Sequence, residues 1–193
     1  MRLVCPACRT VVFRRYPAKS STARALPVPE DMTPLRVGTA GRHAGQSFGV
    51  TGRLRYTFEE GYQNWWALDL GDGNYGWLVE AYGDYGVVRP APALKTTAQA
   101  MVNTKPGKTH KFGDGVPYLT HTRDKNTGIR FEGELPGPGD ETDGFVQVEL
   151  MGETGEWVIV QVHAGTRIAA YAGRRAAFEE LQLQPLRDLH DWT

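Results

Sequence analysis

Between residues 65 and 80 the chain reads WWALDLGDGNYGWLVE. Apolar and polar residues alternate through WWALDL, a Gly-Asp-Gly-Asn turn interrupts, and alternation resumes in YGWLV. Asp-Gly between apolar strands signals a hairpin, because the turn needs a positive φ that glycine adopts without steric cost. Successive side chains of a strand point to opposite faces. Trp66, Leu68 and Leu70 are therefore assigned to the core face. Trp65, Ala67 and Asp69 fall on the other, more polar face.

The same pattern returns 80 residues later. Trp65 aligns with Phe145, Trp66 with Val146, Leu68 with Val148, Leu70 with Leu150, Trp77 with Trp157 and Val79 with Ile159. The entry Gly-x-Leu of Gly52–Leu54 recurs at Gly133–Leu135, one residue out of step. Self-similarity at a fixed period marks repeated structural units. The expected fold is all-β and mainly antiparallel, with two related barrel-like or sandwich-like units in tandem. Their bounds are 36–89 and 107–187, with a linker at 90–106 carrying a short helical turn and a basic Cys-x-x-Cys segment at 1–24. Pro90 closes the first unit, and Phe178–Leu183 suits either a strand or one short helix.

This patterning leaves Trp65 and Phe145 as large aromatics opposite the assigned core, beside Asp69, Gln147 and Glu149. Two roles fit them: packing between the two units, or anchoring a partner, since aromatic anchors concentrate binding energy at interfaces.

Composition sharpens the picture in two places. The 23 glycines and 12 prolines among 193 residues suit a turn-rich β protein. Net charge is zero, yet Arg2, Arg9, Arg14, Arg15, Lys19 and Arg24 give residues 1–24 a charge of +6 with no acid, leaving −6 on the rest. The basic arm, Arg14 and Arg15 in particular, could meet an acidic partner or an anionic surface. The body lacks the basic surface of a nucleic-acid binder. No apolar run reaches the roughly 18–20 residues of a membrane span, and the first residues do not read as a signal peptide. The default location is the cytoplasm, with the membrane reached only peripherally through partners.

Catalytic signatures are missing: there is no G-x-S-x-G, P-loop, dinucleotide fingerprint or H-E-x-x-H. The five histidines are scattered, and Glu59-Glu60 and residues 139–144 read as solvated loop charges. The one metal-like motif is Cys5-Pro6-Ala7-Cys8. Two thiolates on a tight turn supply half of a tetrahedral zinc site. Its other half would come from histidine or from a second chain's cysteines. An unmetallated knuckle, a zinc site completed elsewhere and a redox dithiol all remain open.

CPACRTVV, the long stretch from LPVPEDMTPLRVG through GWLVEAYGDYGVV, FEGELPGPGD, VQVELMGETGEWVIV and YAGRRAAFEELQLQPLR together resemble the bacterial domain of unknown function 4178 family. The likeness runs in order over nearly the whole chain. Its most specific parts are G-R-x-R-Y, W-x-L…D-G-x-x-G-W-L and E-G-E-L-P. The resemblance implies a zinc-knuckle pair at Cys5 and Cys8, a β-rich body and no established catalytic residues. Relatives often carry a further Cys pair upstream, which this sequence lacks. Such proteins are encoded near polyamine-synthesis-like enzymes and membrane-associated stress proteins, which implies an accessory role. The expected function is a non-enzymatic scaffolding module for partner proteins, homo-oligomerisation being compatible with it. The alternative is a subunit that acts on or binds a small cationic metabolite such as a polyamine. Its support is the acidic body and the aromatics, which offer cation–π contacts.

Overall fold

The computed structural model describes residues 2–13, 22–71, 73–92, 94–137, 144–164 and 167–189, and among them lie fourteen strands, one helix and one 3-10 turn. Three short strands come first: β1 (Arg2–Val4), β2 (Thr10–Phe13) and β3 (Thr22–Arg24). A meander follows: β4 (Ala40–His43), β5 (Gln46–Phe58), β6 (Gly61–Asp69), β7 (Tyr75–Ala81) and β8 (Asp84–Pro90). Helix α1 (Ala98–Val102) precedes β9 (Thr109–Lys111), β10 (Pro117–Lys125), β11 (Gly128–Leu135), β12 (Val146–Met151), β13 (Glu156–Val162) and β14 (Ile168–Ala176). The 3-10 turn, Glu179–Leu181, settles the ambiguous stretch after β14 as helical.

All strands belong to one antiparallel sheet, ordered β3-β2-β1-β11-β5-β6-β7-β8-β14-β13-β12-β10-β9, with β4 paired to β5. The tandem blocks are thus two parts of one sheet. They are stitched along β8–β14, where Gly173 faces Val88, and along β5–β11. In the second seam the repeated Gly-x-Leu entries meet each other, Gly52 opposite Gly133. A Cβ on Gly52 would lie 2.4 Å from the Glu134 carbonyl oxygen, so the strands approach this closely only because the position is glycine.

The repeat is looser than the sequence alignment suggests. Asp69–Tyr75 and Met151–Trp157 are the last pairs before each hairpin turn, an offset of 82 rather than 80. Tyr75, not Trp77, therefore stands where Trp157 does in the ladder. Because the discrepancy is even, both tryptophans still face the same core. The entry strands also part company: β5 pairs with its own successor β6, whereas β11 leaves β12 and pairs with β5.

The ladder is open between β10 and β11, yet only Asn126 and Thr127 separate them in the chain. The Asn126 N–H donates to Phe145 O and the Thr127 N–H to Thr57 O, both at 2.8 Å. One bent strand thus ties both ends of the run, and the sheet wraps around a single inner core. That core holds Leu54, Tyr56, Trp65, Trp77, Val79, Phe145, Trp157 and Ile159.

Here the assignment of faces is corrected. Trp66, Leu68, Val148 and Leu150 are buried as expected, but Trp65 and Phe145 are buried as well, each 1% exposed. Their face is the concave interior, and neither side chain is presented to solvent. Trp65 packs edge-on against Tyr56, Trp77 and Tyr171, with ring centroids 5.6, 6.0 and 5.0 Å away, and Tyr56 meets Phe145 at 5.0 Å. Packing between the two blocks is thus the role they take. Adjacent tryptophans in one strand mean that both faces are covered, and the remaining chain does the covering. Leu35, Leu181 and Leu183 cap the outer face of the first meander over Trp66 and Leu78. Met101, Phe112 and Tyr118 cap the second, so the stretch expected to be a linker contributes a core residue.

Candidate functional site

The rim formed by the β5–β6 and β7–β8 turns and by β10 holds a cavity of about 170 Å³. A register shift in β10 sets Thr120 opposite Leu150 and Thr122 opposite Glu149, so His121 bulges at that rim. Bulges re-aim side chains at sheet rims and beside functional sites.

Glu149 lines this cavity from the inner face of β12, although only 5% of it is exposed. Its carboxylate is held by neutral donors. Oε1 accepts from Gln63 Nε2 and, at 3.2 Å, from Gln147 Nε2, while Oε2 accepts from Trp157 Nε1 at 3.2 Å. The ladder continues inward: Gln147 Nε2 donates to Gln63 Oε1 at 2.8 Å, and Gln161 Nε2 to Gln147 Oε1 at 3.0 Å. Trp65 Nε1 closes it by donating to Gln63 Oε1 at 3.2 Å. Among the described residues no ion pair neutralises Glu149. Burial raises its pKa above the ordinary carboxylate value, against the lowering effect of these hydrogen bonds and of His121.

The rim adds charge of the same sign. Glu60, Asp84 and Asp124 line the cavity with Phe58, Tyr82 and Trp157. Asp124 is pushed upward by burial and by the nearby Glu60 and Glu59. Arg175 and His121 also line it, but Arg175 is taken up in an ion pair with Asp84. The exposed Tyr82 sits at the tip of the β7–β8 turn, and its hydroxyl donates to Glu60 O at 3.0 Å. Ala81 and Tyr82 also line a second cavity of about 290 Å³, with Asp31, Tyr62, Asn64, Glu80 and Tyr85. Two acid-bearing cavities thus flank one exposed tyrosine.

The residues singled out from sequence are spread over the molecule. Trp65 and Phe145 form the core behind the cavity, and Trp65 orients Gln63 there. Arg14 and Arg15 lie outside the described residues. Cys5 and Cys8 sit on the β1–β2 turn, where Cys5 lines a different cavity. Two thiols are half of a tetrahedral zinc set, and no group of three or more His, Cys, Asp or Glu converges among the described residues. Among the described residues the donors present do not complete a zinc set.

Sequence patterning does not single out Glu149, Gln63 or Asp124, and it reads Glu60 as a solvated charge. The signal for Glu149 is the run Phe145-x-Gln147-x-Glu149, polar groups sharing a face with a large aromatic, which patterning places on the outside of the sheet. Compared with protein-family models, curated proteins and solved structures, the chain matches none. No helix among the described residues is long and apolar enough to cross a membrane.

Proposed function

We propose that this protein is a non-enzymatic accessory module that binds a small organic cation at the rim of its curled sheet. One observation carries the reading: a buried carboxylate, Glu149, lines the rim cavity with neutral hydrogen-bond donors around it, no ion pair among the described residues, and His121 as its nearby opposite charge. Holding an unneutralised carboxylate in a protein interior is costly, and a cationic ligand offsets that cost. Phe58, Tyr82 and Trp157 offer aromatic faces to an ammonium group. A linear diamine or polyamine suits the rim, one ammonium directed to Glu149 and the other to the rim carboxylates Glu60 and Asp124.

Calorimetric titration with an alkyl monoamine, then with diamines of increasing chain length, tests this. Diamines of one preferred length should bind tighter than the monoamine, and Glu149→Gln should abolish the difference. Equal, weak and salt-suppressed binding of all amines would mean a generic acidic surface, and the reading would be wrong.

A second reading, scaffolding of a partner protein, is favoured by a different feature. Beside β1 and β11 runs a groove of about 530 Å³ in which Leu3, Leu26 and Val37 stay 43%, 60% and 42% exposed beside Arg9, Glu132 and Glu134. Copurification from the native host separates the two: a stoichiometric protein partner lost in Leu26→Asp favours scaffolding.

A further inference from the structure

We propose that Cys5 and Cys8 are an exchange-active dithiol that reduces a disulfide presented in the groove beside them. The chain has only these two cysteines, and among the described residues no third ligand group converges on them. The turn that carries them is nonetheless firmly built. The Arg9 N–H donates to Cys5 O at 2.8 Å, the Cys5 N–H to Thr10 O at 3.0 Å, and the Ala25 N–H to Arg9 O at 2.9 Å. Arg9 turns the chain in the left-handed region, with φ 58°. Both sulfurs are free. Cys8 is exposed and Cys5 half-buried. Cys8 Sγ lies 3.2 Å from Thr10 Oγ1, donating to it as a thiol and able to accept from it as a thiolate.

The arrangement assigns distinct roles. Cys8, the accessible sulfur, is the attacking group, and Cys5 is the resolving one. The Cys8 thiolate attacks one sulfur of the substrate disulfide. That bond breaks, the leaving thiolate takes a proton from water, and a mixed disulfide with Cys8 remains. Cys5 then gives its proton to solvent and attacks Cys8 Sγ. The substrate's second thiolate leaves and is protonated. Two electrons pass from the pair to the substrate, and the chain ends with a Cys5–Cys8 disulfide. Cys5, Pro6 and Arg9 line the groove with Leu26, Val37 and Phe131, and the exposed Cys8 lies on the same turn just outside that lining. The substrate class is therefore a polypeptide disulfide with apolar flanking side chains. This deepens the scaffolding reading without depending on the cation site.

The full reduced chain is incubated in a series of reduced and oxidised glutathione mixtures, quenched with acid and weighed by mass spectrometry. The wild type should convert to a species lacking two hydrogens, without a lasting adduct. Cys5→Ser should keep one glutathione on Cys8, and Cys8→Ser should form its adduct on the order of ten-fold more slowly. Leu26→Asp should slow reaction with an apolar cystine peptide about ten-fold while leaving the glutathione rate unchanged. A wild-type pair that stays reduced even in wholly oxidised glutathione overturns the proposal, and this needs no variant to fold. So does protein isolated without chelator that holds zinc on these thiols, with tetrathiolate absorption after cobalt substitution. Equal slowing of both substrates by Leu26→Asp would remove the groove from the account.

Discussion

Strand β6 supplies adjacent residues to two buried polar clusters that differ in one respect. Asn64 faces outward. Its Oδ1 accepts from Arg53 and Arg55, and its Nδ2 donates to Asp31 and Glu80, each at 3.0 Å. Asp31 forms ion pairs with both arginines. Glu80 Oε2 accepts from Thr33 at 2.7 Å and from Trp66 Nε1 at 2.9 Å. Gln63, one residue earlier, faces inward to Glu149. The outer cluster balances its charges and fastens the segment around Asp31 to the sheet. The inner one holds a single negative charge on neutral amides and opens to a cavity. Burial alone therefore does not mark a functional group. Burial without a balancing arginine, beside an accessible space, does.

The largest expected effect lies in the outer cluster. Asp31→Ala leaves Arg53 and Arg55 buried with their shared carboxylate gone, and should cost about 3–5 kcal/mol in a denaturant melt. A loss below about 1 kcal/mol would mean that the cluster is solvated and the contrast false.

Trp65→Ala should be comparable, about 3–5 kcal/mol, because the ring is 1% exposed between the two blocks. An unchanged melting temperature would return Trp65 to the surface.

Glu149→Gln should act in the opposite direction. Burial raises the Glu149 pKa in the folded state, so the folded protein holds this proton more tightly than the unfolded chain. Below the ordinary carboxylate value of 4.5 there is no penalty. The penalty grows as pH rises through the folded value and stays constant above it. The variant should match the wild type in acid and exceed it in stability at neutral pH. A variant less stable at neutral pH would show that the carboxylate is needed structurally, as Asp31 is.

His163 gives a smaller effect of acid sign. Burial holds its pKa down at about 4, and its ring packs 5.1 Å from Phe145. Stability should fall as pH drops from 6.5 toward 4, since the unfolded chain takes the proton first. His163→Phe should flatten that slope. Smallest is a local readout: hydrogen bonds from Thr10 and Cys5 lower the Cys8 thiol to about 7, so alkylation of Cys8 should reach half its maximal rate near that pH. A midpoint near 9 would remove those hydrogen bonds from the account.

Periodicity made much of the architecture legible. Alternation and Gly-Asp turns announced the β6–β7 hairpin, and the Gly-x-Leu entries of the two aligned blocks fall in the β5–β11 seam. What it could not announce was which face of WWALDL is concave. Trp65 and Trp66 are equally apolar, and the choice depends on how the sheet curls, which no single strand encodes. Reading Asp69 and Glu149 as outward markers made Phe145-x-Gln147-x-Glu149 an exterior. Glu149 is inside because Gln63, 86 residues away in sequence, supplies a donor. The rim cavity likewise combines residues from Phe58 to Arg175, a proximity that local pattern does not carry.

The proposed cation site requires Glu149 to be a buried carboxylate that a cation neutralises. Its titration can be followed directly by carbon-detected NMR of the labelled side-chain carboxyl, assigned with Glu149→Gln, with and without a saturating diamine. The expected midpoint lies above the ordinary glutamate value in the free protein and falls when the diamine is present, because an adjacent ammonium favours the charged form. An ordinary midpoint in the free protein, or a raised one that the diamine does not move, would contradict it.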